Sequence, residues 1–269
     1  MIERKIEVNQ IKHISSNIKD TETNRFILIY HISVVLAESA LEIIPPEIRN
    51  SQLIINYSKK VGKETSELFL DKSYHYSAMK EKNIDFIWKR GRPDLVHICL
   101  LSILSTPLFL KNLVDVYIHT IDNKVIFIGQ QVRIPKSYRR FEGLMIKLYK
   151  ENEIKSNEKD YNKYLLKVVK NITFDNLIDK VIRPDKIIGF SSTGIPKDLK
   201  NIVNENIETN NKKISFVIGG FQGGHFSQST RERFHMTYSI ANEQLEAHVV
   251  ISRLVYECEN RLSFLDGPS

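Results

Sequence analysis

Eleven consecutive residues, Phe26 to Leu36 (FILIYHISVVL), leave the chain little choice but to build a sheet around them. Their β-branched and aromatic side chains suit a buried strand, and Tyr30, His31 and Ser33 are the interruptions in the run. This is the most apolar stretch of the sequence, yet it falls short of the roughly 18 to 20 apolar residues that a helix needs to cross a bilayer. A membrane-spanning role is excluded on that ground. With 42% apolar and 9% aromatic residues among 269, the chain can bury a core in one large domain or two small ones.

The surrounding pattern mixes strands and helices, which places the chain in the α/β class. Residues 1–24 are polar and weakly patterned and are expected to form an extension, leaving residues 25–269 as the folded domain. Met1 to Asn9 alternates charge with isoleucine and has no apolar leader segment, so a cytoplasmic location is expected. Ala37 to Ile44 reads as a short helix stopped by Pro45-Pro46, and Leu53–Ile55 with Lys59–Leu70 continues the mixed pattern. Pro93 and Asp94 suit the start of the apolar helix Leu95–Leu104. Leu113–Thr120 and Lys124–Gly129 flank Ile121-Asp122-Asn123 as a hairpin. Further on, helical patterns cover Tyr161–Lys170, Pro196–Asn206 and Asn242–Leu262, and strands are expected at Lys186–Phe190, Ile214–Ile218 and Phe234–Ser239. Lys150–Asp160 is rich in Glu, Lys and Asn, reads as an exposed loop or linker, and would divide the chain into two halves.

The net charge of +7 is concentrated. Arg133 to Lys150 (RIPKSYRRFEGLMIKLYK) holds Arg133, Lys136, Arg139, Arg140, Lys147 and Lys150 against the single acid Glu142. If Pro135 opens a helix, Phe141, Leu144, Met145 and Leu148 share an apolar face, while Lys136, Arg140, Gly143, Lys147 and Lys150 form a separate stripe. Such a stripe is either an ordinary solvated face or a surface that tracks an RNA backbone through bidentate phosphate contacts.

Ile214 to Phe226 (ISFVIGGFQGGHF) runs from a strand into glycines at 219, 220, 223 and 224. The spacing is not that of a dinucleotide fingerprint, and His225 and Phe226 stand where a nucleotide triphosphate loop needs Lys and Ser or Thr. Either a structural loop or a strand-end cradle for a small cofactor fits the pattern. The eight histidines show no metal-ligand spacing, so no metal is expected. Gly189 to Gly194 is one residue too long for a nucleophile elbow. Cys99 and Cys258 lie inside apolar helical patterns and are read as buried and inert.

Several stretches together resemble the Nep, or Emg, family of ribosome-biogenesis methyltransferases. They are AESALEIIPPEI at 37–48, LDKSYHYSAM at 70–79, RGRPDLVHICLLSILSTPL at 90–108, RIPKSYRRFEGLM at 133–145, the GGFQGG loop, and TYSIANEQLEAHVV at 237–250. The first two look like the archaeal branch. The resemblance implies a SPOUT-type α/β domain with a C-terminal trefoil knot, a homodimer, and S-adenosylmethionine as methyl donor without a metal. It implies methylation of N1 of a specific pseudouridine in small-subunit rRNA. Ribosomal proteins or assembly factors are further partners it suggests, and no membrane.

By motif, the resemblance assigns RNA contact to Arg92, Asp94, Arg133, Lys136 and Arg140; Lys136 stands where the family often has arginine. It assigns the cofactor to Gly219, Gly224 and the loop Ile240, Ala241, Asn242, Glu243, Gln244 and Leu245, with Ser192 and Thr193 in a third wall. Asp94 is the expected catalytic residue, as acceptor for the N1–H and as general base, against a plain role as a helix-cap aspartate. Two other readings stay open at this point: a non-catalytic rRNA-binding assembly factor, and a related knotted methyltransferase acting on another RNA base.

Overall fold

In a computed structural model, residues 31–156, 164–207 and 212–262 are described. Their strands are β1 (His31–Ser39), β2 (Val114–Thr120), β3 (Lys124–Ile128), β4 (Glu153–Lys155), β5 (Tyr164–Lys170), β6 (Lys186–Pro196), β7 (Lys213–Gly219) and β8 (Met236–Ser239). All belong to one sheet, in the order β4-β5-β3-β2-β1-β7-β6-β8. β1 pairs in parallel with β2 and β7, and β6 in parallel with β7 and β8. The β2–β3, β3–β5 and β4–β5 pairs are antiparallel.

The expected apolar strand is therefore the centre of the sheet from His31 onward; residues 26–30 lie outside the described residues. Because side chains alternate across a strand, Ile32, Val34 and Leu36 join Val116, Ile118, Phe216 and Ile218 on one face. Val35 and Ala37 join Tyr117 and Val217 on the other.

The longer helices are α1 (Gln52–Val61), α2 (Lys72–Glu81), α3 (Pro93–Leu104), α4 (Tyr138–Glu151), α5 (Leu199–Asn206) and α6 (Ala247–Arg261). α3, α4, α5 and α6 bury their apolar stripes on the first face, through Leu100, Phe141, Ile202 and Leu254 among others. Each such fully buried side chain contributes roughly 1.5–3 kcal/mol. Phe174, Leu177, Ile178 and Phe226 cover part of the second face. Ile44, Ile48, Ile54, Leu70 and Met79 form a smaller cluster under α1 and α2.

Pro93 occupies the first turn of α3 as expected, where its missing N–H costs nothing, and Asp94 sits in the same turn, favourable to the helix dipole. The hairpin β2–β3 also stands as read. Other expectations change. Ala37–Ser39 finish β1 and the chain to Ile44 is not helical. Ala40, Leu41 and Ile44 are all fully buried, so no face is left for solvent, and this segment pairs instead with 68–70: Ile44 N–H donates to Leu68 and Leu70 N–H to Glu42. Leu53–Ile55 belongs to α1. Tyr164–Lys170 is a strand because Leu166 and Val168 alternate inward against β3; Tyr161 lies outside the described residues. Lys150 lies in the last turn of α4 and β4 follows that helix into the same sheet, so the sheet does not divide there; residues 157–160 of the expected linker are outside the described residues. α4 starts after Ser137 rather than at Pro135.

Candidate active site

Three parallel strands, β7, β6 and β8, end on the same side of the sheet, the place where open α/β sheets bind ligands. A cavity of about 420 Å³ opens there. Its walls come from the β6 end (Phe190, Ser192), the β7 end and glycine loop (Ile218, Gly219, Gly224), and the segment between β8 and α6 (Ile240 to Leu245). Of the residues expected to hold a cofactor, Ser192, Gly219, Gly224, Ile240, Ala241, Glu243, Gln244 and Leu245 line it; Thr193 and Asn242 do not. Residues 242–246, where the helical pattern was expected to begin, belong instead to the loop that the resemblance implies, since α6 begins at Ala247.

Two glycines are required by space. A Cβ on Gly220 would lie 2.0 Å from the buried Ser39 Oγ, on backbone fixed to Ala37 and Ala40 by hydrogen bonds in both directions. Gly224 has φ +86°, and a Cβ there would come within 2.7 Å of the Trp88 indole.

Under this loop lies a buried ion pair that the sequence did not announce. Glu38, at φ +52°, accepts from Lys89 Nζ and, at 2.8 Å, from the Ser227 amide. Burial pushes its carboxyl up, yet the hydrogen bonds from Lys89 and Ser227 outweigh that and leave the pKa lowered. Three segments far apart in sequence are thereby locked together behind the cavity. A charged residue closing an apolar strand was the one available signal.

Arg92 reaches the cavity wall, beside Leu95, Glu246 and Ala247. Asp94 is not part of the wall; it grips Arg92 with two hydrogen bonds of 2.8 Å. Burial raises the Asp94 carboxyl, but the hydrogen bonds and charge of Arg92, with backbone amides, hold it below the usual carboxylate value. Asp94 is thus ionised at neutral pH and well suited to accept a hydrogen bond.

The basic block sits next to this pair. The His97 ring stacks on Phe141 at 4.4 Å, and its Nε2–H donates to the Pro135 carbonyl at 2.7 Å, which ties the start of α4 to α3. Phe141, Met145 and Leu148 face inward as expected. Lys147 and Lys150 pair with Glu151 and Glu67. Arg133, Lys136, Arg139 and Arg140 are exposed and form no ion pair with a described residue. Cys99 and Cys258 are buried, and burial pushes the Cys99 thiol up to about 12. Among the described residues no His, Cys, Asp and Glu cluster could hold a metal.

Residues 34–259 match the family model described as EMG1/NEP1 methyltransferase. The chain belongs to that family. The Nep1 ribosomal RNA small subunit methyltransferase of Staphylothermus marinus is 36% identical over 85% of this chain and 95% of its own length. That of Saccharolobus solfataricus is 35% identical over 87% and 99%. A crystal structure of Archaeoglobus fulgidus Nep1 bound to S-adenosylhomocysteine superimposes with a TM-score of 0.73 at 28% identity, covering 87% of this chain and 99% of that one.

The cavity of this family member fits S-adenosylmethionine, the methyl-donor form of that molecule. Ile218, Ile240, Leu245 and Val250 offer apolar surface for a flat base, the loops expose backbone donors and acceptors, and Glu243 and Glu246 offer carboxylates to hydroxyl or ammonium groups.

Proposed function

We propose that this chain transfers a methyl group from S-adenosylmethionine to N1 of a pseudouridine in small-subunit rRNA, acting in ribosome biogenesis as a homodimer with a knotted C-terminal half. The observation that carries the reading is the placement of Arg92, held by Asp94, at the wall of the strand-end cavity, next to unpaired cations of the basic block. Family membership supports the substrate class. The exposed Ile98, Leu110 and Tyr256, on helical segments that pack on one another, support self-association.

S-adenosylmethionine supplies, when bound, an electrophilic methyl carbon on a sulfonium. What the protein must add is position: the attacking nitrogen held about 3–3.5 Å from that carbon and in line with sulfur. Pseudouridine, unlike uridine, presents an N1–H. The ionised Asp94 carboxylate accepts a hydrogen bond from such a group and orients the ring, while a carboxyl held this acidic is a weak base, so the departing proton passes to water. Arg92 uses its Nε and one terminal nitrogen on Asp94, which leaves its remaining N–H groups for phosphate.

The test is nucleoside mass spectrometry of hypomethylated small-subunit rRNA incubated with the protein and S-adenosylmethionine. N1-methylpseudouridine is the expected product, and its formation must cease when uridine replaces pseudouridine. A methylated base of any other kind would overturn the specificity. Cofactor binding with no RNA methylation at all would move the chain to the assembly-factor role.

A further inference from the structure

Four of the five exposed aromatic rings among the described residues, Tyr74, Tyr76, Phe86 and Trp88, fall in one short stretch between α2 and α3 or on α2 itself; the fifth is Tyr256. Phe86 and Trp88 are 53% and 51% exposed and stand edge to face with centroids 5.8 Å apart. Leaving two large rings half in water is unfavourable, and the backbone adds to the cost, because Phe86 is held at φ +54°, where a bulky residue is strained.

The rings are held firmly despite that cost. Lys89 N–H donates to the Phe86 carbonyl at 2.8 Å, and the Lys89 side chain runs inward to Glu38, passing the Phe221 ring at 4.7 Å. Trp88 lies against Gly224 of the cavity wall. Four residues on, Arg92 enters the same wall. Gly91 continues the surface onto α2 by accepting from Lys72 N–H at 2.9 Å, and α3, which carries the Asp94 that holds Arg92, is tied to the basic block by the His97 bond to Pro135. A rigid aromatic pair thus packs on a cavity into whose wall Arg92 also projects.

We propose that Trp88, supported by Phe86, is a stacking platform for an unpaired base of the RNA strand that enters the cavity. The proposal rests on the rRNA-methyltransferase reading above. A target nucleotide must leave its stack to reach a cavity of this depth, and its neighbour then has an exposed face. Aromatic rings receive such faces without regard to base identity, while cations alongside hold the backbone. Continuity with the cavity and charge both favour RNA as the occupant: the unpaired cations Arg133, Lys136, Arg139 and Arg140 call for a polyanion.

Trp88 is the only tryptophan of the chain, so its fluorescence reports on this site alone. The full chain is titrated with a 12-nucleotide unstructured RNA of mixed sequence and with the same strand carrying abasic positions, using about a tenfold affinity loss as the scale of one stacked base. Saturable quenching by the intact strand and weak binding of the abasic strand are expected. Trp88→Ala should lose about tenfold in affinity with an unchanged salt slope, since no phosphate contact is removed, and Trp88→Phe should recover most of it. Phe86→Asn keeps a residue that tolerates the left-handed backbone, does not touch the glycine loop, and should lose affinity in the same way.

Equal RNA affinity of wild type, Trp88→Ala and Phe86→Asn would overturn the proposal, as would fluorescence that saturating RNA leaves unmoved. A change of oligomeric state in the variants without a change in RNA affinity would assign the rings to a contact between copies instead. Calorimetry with S-adenosylmethionine accompanies each variant. Normal cofactor binding and RNA methylation in a wild type whose Trp88 ignores RNA would sink the platform and leave the enzymatic reading standing.

Discussion

Asp94 holds Arg92 by two parallel hydrogen bonds of 2.8 Å, from Nε to Oδ1 and from a terminal nitrogen to Oδ2. Only the arginine lines the cavity. The aspartate therefore fixes the plane of the guanidinium as well as offering an acceptor of its own. Asp94→Asn keeps the shape and removes the charge; it should bind S-adenosylmethionine normally and methylate RNA about 100-fold more slowly, the scale of a small misplacement of a positioning group. Arg92→Lys should be similarly impaired, because an ammonium cannot form the two-pronged pair. Single-turnover rates at saturating cofactor check both. Because the folded carboxyl lies below its ordinary value, whatever Asp94 contributes is present above that value and is lost only as the pH falls through it. The rate profile from pH 6 to 8 should carry no limb from this residue.

Lys89 and Glu38 are both nearly buried, with 6% and 8% of their side chains exposed. Lys89→Met leaves Glu38 buried without its counter-ion and should cost about 3–5 kcal/mol, whereas adding Glu38→Gln in the same chain should return part of it. Denaturant unfolding of the single and double variants measures this. Since Glu38 also holds the Ser227 amide, the single variant should in addition weaken cofactor binding.

Neighbouring glycines should fail in different ways. A Cβ at Gly219 meets the far end of the Phe221 ring at 2.7 Å, and that ring can move. Gly219→Val should therefore fold and lose cofactor binding by calorimetry as the displaced ring and the valine fill the cavity. Gly220→Ala meets Ser39 inside the sheet and should lose stability, with a melting temperature several degrees lower, since about 1 kcal/mol shifts a chain of this size by roughly 2–4 °C.

Arg133→Ala, Lys136→Ala and Arg140→Ala each remove an exposed cation with no described acidic partner. Each should weaken RNA binding and flatten the salt dependence by about 0.7–0.9 in log–log slope. Lys136→Arg should bind more tightly than wild type. Filter binding at several salt concentrations decides.

Legibility followed the range of the forces involved. The α3 start at Pro93-Asp94, the β2–β3 hairpin and the inward face of α4 rest on neighbours within a few residues, and the sequence showed them. The Ala37–Ile44 segment did not, because its partners are Leu68 and Phe69, and β5 did not, because Leu166 and Val168 match a helix or a strand until β3 stands beside them. In the candidate site the glycines were legible as a doublet at a strand end. Glu38 was not, since its fate depends on Ser227 at a separation of 189 residues. Gly224 and Trp88 show the same limit: the reason for the glycine is the ring packed on it.

His75 makes the stability of the α1–α2 region sensitive to acid. Its Nδ1 accepts from the Asp71 amide at 2.9 Å, so Nε2 carries the proton, and Nε2 is buried without a partner. Burial, opposed by the charge of Asp71, lowers its pKa from 6.5 to about 4. The unfolded chain accepts a proton near pH 6.5 and the folded one does not, so this contribution is complete above 6.5 and shrinks as the pH falls toward the folded value. Linkage puts the loss between pH 7 and 5 at about 2 kcal/mol. His75→Gln, which cannot take up that proton, should lose correspondingly less between the same two pH values, even though it starts from a lower stability at pH 7. Urea midpoints of the two proteins at pH 7 and pH 5 give the comparison. Parallel declines would show that other groups set the acid limit of the fold.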